Sequence, residues 1–271
     1  MEPIRRITRA IWREGSFSEG ERAIPEETAI AFTYNGSSYA VMMGTPQNLE
    51  DFAYGFSLTE EIIASPEQIE TLEVIESELG IELRMWLSKE TGEAFTTRKR
   101  RLAGPTGCGL CGLETLTDAM RPAPSVQDDL RVDPQEIMQA LDALYPEQKI
   151  NHETRAVHAA GFWKSSEGII AVREDVGRHN ALDKLAGALA RGKVSPRHGF
   201  VLLTSRISVE MVQKTAAIGA AIIVAVSAPT ALAIRTAEAA GITLVAIARK
   251  DGFEVFTHPY RVLKKQPAHV A

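Results

Sequence analysis

Cysteine is nearly absent from this 271-residue chain, which holds only Cys108 and Cys111. Two thiols cannot build the disulfide framework of a small secreted domain. Positive charge is not in excess either: 30 Lys and Arg stand against 35 Asp and Glu, a net charge of −5. Such a chain is no general polyanion binder, so no nucleic-acid partner is expected and any nucleotide contact must be local. The opening MEPIRRITRAIWREG spreads charge where a signal peptide needs an apolar stretch, and the expected location is the cytoplasm. Fixed-period repeats and low-complexity tracts are missing too. The 20 uncharged residues between Lys214 and Arg235 are long enough to cross a bilayer. Gly219, Ser227, Pro229 and Thr230 interrupt them, however, and alanine supplies much of their apolar content. A buried helix–strand–helix passage is expected there, with no membrane partner.

What is present is ordinary for a globular protein, with 45% hydrophobic and 24% charged residues. At about 150 residues per domain, the length suits one large domain or two small ones. Residues 28–43 predict two strands around an Asn35-Gly36 turn, and Leu49–Ile63 a helix with Phe52, Phe56 and Ile63 on one face. Residues 69–87 predict a second strand pair split at Gly80. Residues 60–93 contain ten Glu against Arg84 and Lys89, and the sign reverses at Arg98-Lys99-Arg100-Arg101. A proline-rich stretch, 121–135, marks a boundary between an α+β domain (1–120) and an α/β domain (121–271).

Beyond that boundary, apolar runs at 169–172, 200–204, 221–226 and 243–248 alternate with helix candidates at 180–191, 208–220 and 229–240. Strand–helix alternation with continuous apolar strands predicts an α/β fold whose sheet is mainly parallel and covered on both faces. Asn180 and Ser208 are expected as N-caps, Pro229 near a first turn and Gly241 just past a helix end. Ligands in such folds sit beyond the carboxyl ends of the strands, where helix N-termini offer free N–H groups. The loops there, 173–180, 205–208, 227–230 and 249–252, are polar, and three of the four carry Arg or Lys. Together they suit a phosphate-bearing small molecule, with Arg206 the expected phosphate contact.

The two cysteines lie three apart in Thr106-Gly107-Cys108-Gly109-Leu110-Cys111-Gly112. Glycine frees the backbone for close approach, and the helix expected at 113–121 would lower a thiol pKa at its N-terminus. A thioredoxin-type pair belongs next to a βαβ unit, which here comes later in the chain. A structural zinc site needs four ligands. Pro105 before the pair matches the zinc deaminase P-C-x-x-C, but that chemistry needs an upstream H-x-E, and all six histidines lie at 152 or beyond. Zinc is therefore not expected. Thiolate chemistry remains, either sulfur transfer or disulfide exchange, and spacing does not separate them. Among the histidines, His158 in an apolar run is expected in the core, and His179 beside Arg178 and Asp175 where a base would stand. Met42, Met43 and Met211 are expected as core residues.

Several motifs in order carry a resemblance: GCGLCG at 107–112, REDVGRHNALDK at 173–184, SRISVEMVQK at 205–214, SAPTALAI at 227–234 and GFEVFTHP at 252–259, with MGTPQNLEDFAYGFSLTEEII at 43–63. Over roughly 25–262 the chain resembles the formate dehydrogenase accessory sulfurtransferases (FdhD). Gly44 departs from the pattern, standing where an arginine is expected, and 121–150 carry no signature. The resemblance implies a persulfide on Cys108, with Cys111 its partner, loaded by a cysteine desulfurase. The sulfur would pass to the molybdenum bis(molybdopterin guanine dinucleotide) cofactor of formate dehydrogenase. It also implies a homodimer, a cytidine-deaminase-like fold without zinc, GDP as an analogue ligand, and cofactor contacts from Phe253, Glu254, Val255, Phe256, Thr257 and His258.

Overall fold

The computed structural model describes residues 1–102 and 122–262, and their strands form three sheets. The first is an antiparallel hairpin of β1 (Ile4–Arg13) and β2 (Ser16–Pro25), turning at Glu14-Gly15. No expectation covered it, because arginines at 5, 6, 9 and 13 obscure the two-residue alternation of a strand. Trp12 pairs with Phe17 across the hairpin, ring centroids 4.9 Å apart, and both rings are exposed.

The second sheet has the order β4-β3-β6-β5, from β3 (Thr28–Tyr34), β4 (Ser37–Gly44), β5 (Ile69–Ser77) and β6 (Gly80–Leu87). Asn35 and Gly36 both have positive φ, the geometry a two-residue hairpin turn requires. Helix α1 (Leu49–Thr59) packs on this sheet through Phe52 and Phe56, whose rings contact Phe32. Helix α2 (Lys89–Leu102) follows and carries the run 98–101 at its end.

The third sheet comprises β7 (His158–Lys164), β8 (Gly168–Asp175), β9 (Gly199–Leu203), β10 (Ile222–Ala225), β11 (Thr243–Arg249) and β12 (Gly252–Val255). With helices α3 (Pro134–Glu147), α4 (Lys149–Thr154), α5 (Arg178–Arg191), α6 (Val209–Ile218) and α7 (Ala231–Ala240), it gives the expected α/β class. The strand order is β12-β11-β10-β9-β7-β8, and the sheet is mixed rather than mainly parallel. Only β9, β10 and β11 pair in parallel, through crossovers containing α6 and α7. The short links 165–167 and 250–251 cannot make crossovers, so β8 and β12 run antiparallel to their hairpin partners.

Burial on both faces explains the continuous apolar runs. Val201 and Leu203 of β9 pack toward α5 and α6, while Phe200 and Leu202 face Ile137, Ala140 and Leu144 of α3. The 20-residue uncharged run is indeed divided among α6, β10 and α7, and among the described residues no helix is long and apolar enough to cross a membrane. Residues 122–133 form a strap: Val126, Leu130 and Val132 are buried, and the Val126 and Val132 N–H groups donate to Ala240 and Arg261 carbonyls. One capping expectation needs correction: Gly177, not Asn180, occupies the N-cap of α5. Pro229 lies near the first turn of α7, as expected, and Thr230 after it caps that helix by accepting from the Ala233 N–H.

Candidate functional site

Strand β7 runs antiparallel to both β8 and β9, so β8, β9, β10 and β11 all end at one edge of the sheet. The four polar loops anticipated from sequence therefore form one rim, which the start of β7 joins through His158, paired in register with Asp175. Ile247, near the end of β11, has φ +54, a left-handed conformation costly for a β-branched residue. Its N–H donates to Ser227 O and ties two rim loops together.

Much of the 173–184 motif anchors the rim to α1 and the loop after β4. Lys184 Nζ, fully buried, donates to Asp175 Oδ2 at 2.6 Å and to Thr45 O at 2.8 Å. Burial pushes its pKa down, against the pull of Asp175. Asp175 also accepts from the N–H groups of Thr45 and Gly177, and Asn180 Nδ2 bridges Asp175 Oδ1 to Met43 O. Asp51 of α1 accepts from Arg173 at 2.7 Å and from Arg191 at 2.6 Å. Lys214 binds Asp183 at 2.8 Å and Glu60 at 3.0 Å, while the Thr59 hydroxyl donates to Asp183. Burial raises the Asp183 pKa, and Asp183 with Glu60 overcomes burial to raise that of Lys214. These residues are legible as a motif but not as structural anchors, since the groups they anchor to, Met43, Thr45, Asp51 and Thr59, lie more than a hundred residues away.

Two motif residues are not spent this way. His179 Nε2 and Arg178 Nε are enclosed without a hydrogen-bond partner among the described residues. Burial, then the Arg178 charge, push the His179 pKa down to about 4, so its ring is neutral near pH 7. Glu210 lies 3.8 Å from His179 Nε2. Burial opposes its ionisation, but the Ser208 hydroxyl, its own N–H, His179 and Arg178 outweigh that and hold it below the usual carboxylate value. Ser208 stands at the N-cap of α6, as expected, yet makes no side-chain cap. His158 is half-buried at the rim rather than in the core, and burial with the Arg178 charge lowers its pKa.

The other predicted site residues are dispersed. Arg206 is exposed on the loop after β9. Phe253 begins the run along β12, which leads away from the rim; Phe253 and Val255 pack on the core, Phe256 on the opposite cluster, and Glu254 is exposed. Thr257 accepts from Leu244 N–H and donates to Ile242 O, and His258 Nε2 meets Glu238 O. Thr257 and His258 thus lie at the start of β11, a strand's length of about 20 Å from Arg206's edge. Cys108 and Cys111 lie outside the described residues. Met211 is buried as expected; Met42 is half-buried against the core under α1, and Met43 is 52% exposed, because successive residues of β4 point to opposite faces of the sheet. The described residues whose metal-ligating atoms cluster are Asp128, Asp129 and His198, within 4.8 Å of one another, away from the rim. A cavity of about 530 Å³, lined by Leu58, Ile62, Ile63, Ala94, Pro124 and Ala216, lies toward the far end of α6.

Comparison with known proteins agrees across nearly the whole chain. The FdhD/NarQ family model matches residues 25–263. A protein of Agrobacterium fabrum named sulfur carrier protein FdhD is 51% identical over 96% of both chains. One of the same name from Bordetella petrii is 45% identical, over 92% of this chain and 89% of the relative. A crystal structure from Desulfotalea psychrophila, of a protein assigned as a formate dehydrogenase accessory protein, superposes with TM-score 0.75 at 25% identity, covering 97% of this chain and all of that one.

Proposed function

The chain belongs to the FdhD/NarQ family, and from that premise we propose that it is a sulfur carrier for formate dehydrogenase. The observation that carries this is near-full-length identity of about half to relatives bearing that name. The chemistry falls to the only two thiols of the chain. The Cys108 thiolate attacks the outer sulfur of a cysteine desulfurase persulfide, takes that sulfur and releases the desulfurase thiolate. The Cys111 thiolate then attacks the inner sulfur of the Cys108 persulfide. A Cys108–Cys111 disulfide forms, and the outer sulfur leaves as sulfide for the molybdenum bis(molybdopterin guanine dinucleotide) substrate. The two electrons it carries come from the two cysteines, and an external dithiol must reduce the disulfide before the next cycle.

The rim supports the binding half of the task. Its free helix-terminal N–H groups, with Arg206 and Arg178, suit the pyrophosphates of a guanine dinucleotide, and GDP is the accessible analogue. Contacts from Phe253–His258 would require the ligand to extend along β12. The protein works as a homodimer in the cytoplasm, with the desulfurase and the dehydrogenase as successive partners.

Intact-mass spectrometry tests the carrier step. Incubation with a cysteine desulfurase and cysteine should add about 32 Da, one sulfur, reversibly by reductant. Cys108→Ala should abolish the gain, and Cys111→Ala should load sulfur but not release it. No gain in the parent beside an active desulfurase would overturn the reading and leave a cofactor-binding chaperone.

A further inference from the structure

At the rim the N-termini of α5 and α6 converge on groups with unused hydrogen-bonding capacity. Arg178 is half-buried and forms no ion pair among the described residues, while its Nε and His179 Nε2 are enclosed without a partner. The first turn of α5 holds no acidic residue, and Gly177 at its N-cap offers no side chain. Ser208, 8% exposed, does not cap α6; its hydroxyl is turned to the Glu210 carboxylate instead. Enclosed polar groups are rarely left unsatisfied, and an unpaired arginine beside a free helix N-terminus is a site for an anion.

The groups bearing on His179 are few. Arg178 stands beside it on α5, Glu210 and Lys214 face it from α6, and Glu60 from the end of α1. His158 of β7 faces Arg178. Lys214 and Glu60 pair with each other at 3.0 Å, so their charges largely cancel. Burial and the Arg178 charge hold the ring neutral. An anion against Arg178 would cancel the repulsion and place negative charge beside Nε2.

We propose that the rim at the N-termini of α5 and α6 binds a phosphate group and that His179 takes up a proton from solvent as it binds. The neutral ring becomes an imidazolium held between the phosphate and Glu210. The proposal rests on the phosphate-binding reading of the rim and adds its proton stoichiometry.

Titration calorimetry of the full chain with GDP tests it, at pH 6 in two phosphate-free buffers of different ionisation enthalpy. The parent should take up about one proton more than His179→Gln, because the free ring is unprotonated there and the bound ring is not. Protons exchanged by GDP itself are common to both proteins, so the difference reads His179 alone. Relative to the variant, parent affinity should weaken about tenfold per pH unit rise below the bound-state pKa. Arg178→Gln, which loses no internal ion pair, should also bind weakly with reduced uptake. Guanosine should show no uptake, marking the phosphate as the cause. Equal proton counts in the parent and His179→Gln overturn the proton role and leave phosphate binding standing. Failure of GDP to bind the parent at all overturns both.

Discussion

Gly55 and Gly187 face one another where α1 crosses α5, and each fills the space where the other's helix would meet a side chain. A Cβ on Gly55 would lie 1.6 Å from the Asp183 carbonyl oxygen, and one on Gly187 would lie 1.9 Å from that of Asp51. Both obstacles are backbone, so no rotamer change relieves them. The crossing lets the three ionic groups around Asp51, Asp175 and Asp183 close between the two sheets. Gly187→Ala should therefore force the helices apart and cost about 3 kcal/mol or more, the upper range for overpacking. Urea denaturation checks it; an unchanged midpoint would mean the crossing is looser than described.

The sequence was most informative where physics is local. Asn35-Gly36 announces its turn because few residues tolerate two successive positive φ values. Strands β9 to β11 show as apolar runs because both their faces are covered. Hairpin β1–β2 could not be read, since its charged positions carry no periodicity. The motif 173–184 was legible as special but not in its division of labour. Asp175, Asp183 and Lys184 serve partners on α1 and around Thr45, more than a hundred residues away, while Arg178 and His179 stay uncommitted. Gly44 gains its reason only in three dimensions, because a Cβ there would stand 3.0 Å from Asn180 Nδ2 and 3.3 Å from Asp175 Oδ2.

Lys184→Met should destabilise strongly. The ammonium is the link between Asp175 and Thr45 O, and both ends of the ion pair are fully buried. Removing one member of such a pair costs about 3–5 kcal/mol, because the remaining charge is left unpaired. The double change Lys184→Met with Asp175→Asn should cost less than the sum of the two singles. Additive losses in denaturant titrations would show that the two groups are not coupled.

Thr257 distinguishes a structural role from ligand contact within 253–258. Its buried hydroxyl both accepts from Leu244 N–H at 2.8 Å and donates to Ile242 O at 2.7 Å. Thr257→Val keeps the shape and loses both bonds, and should cost about 1–3 kcal/mol, whereas Thr257→Ser should be close to the parent. A valine variant as stable as the parent but unable to bind GDP would instead make this hydroxyl a ligand contact.

His179 should leave a signature in the pH dependence of stability. Its pKa is about 4 in the folded chain, against about 6.5 for an unfolded histidine. Between those values the unfolded chain binds the extra proton. Stability contributed by the neutral ring is therefore complete above pH 6.5 and lost as pH falls toward 4. The ring is 31% exposed, so solvent screening reduces the full linkage to about 1–2 kcal/mol. His179→Gln has no proton to gain there, and the stability gap between parent and variant should move by that amount in the variant's favour from pH 7 to pH 4. Urea midpoints along that series measure it, and parallel profiles would show that the ring is not held neutral by its surroundings.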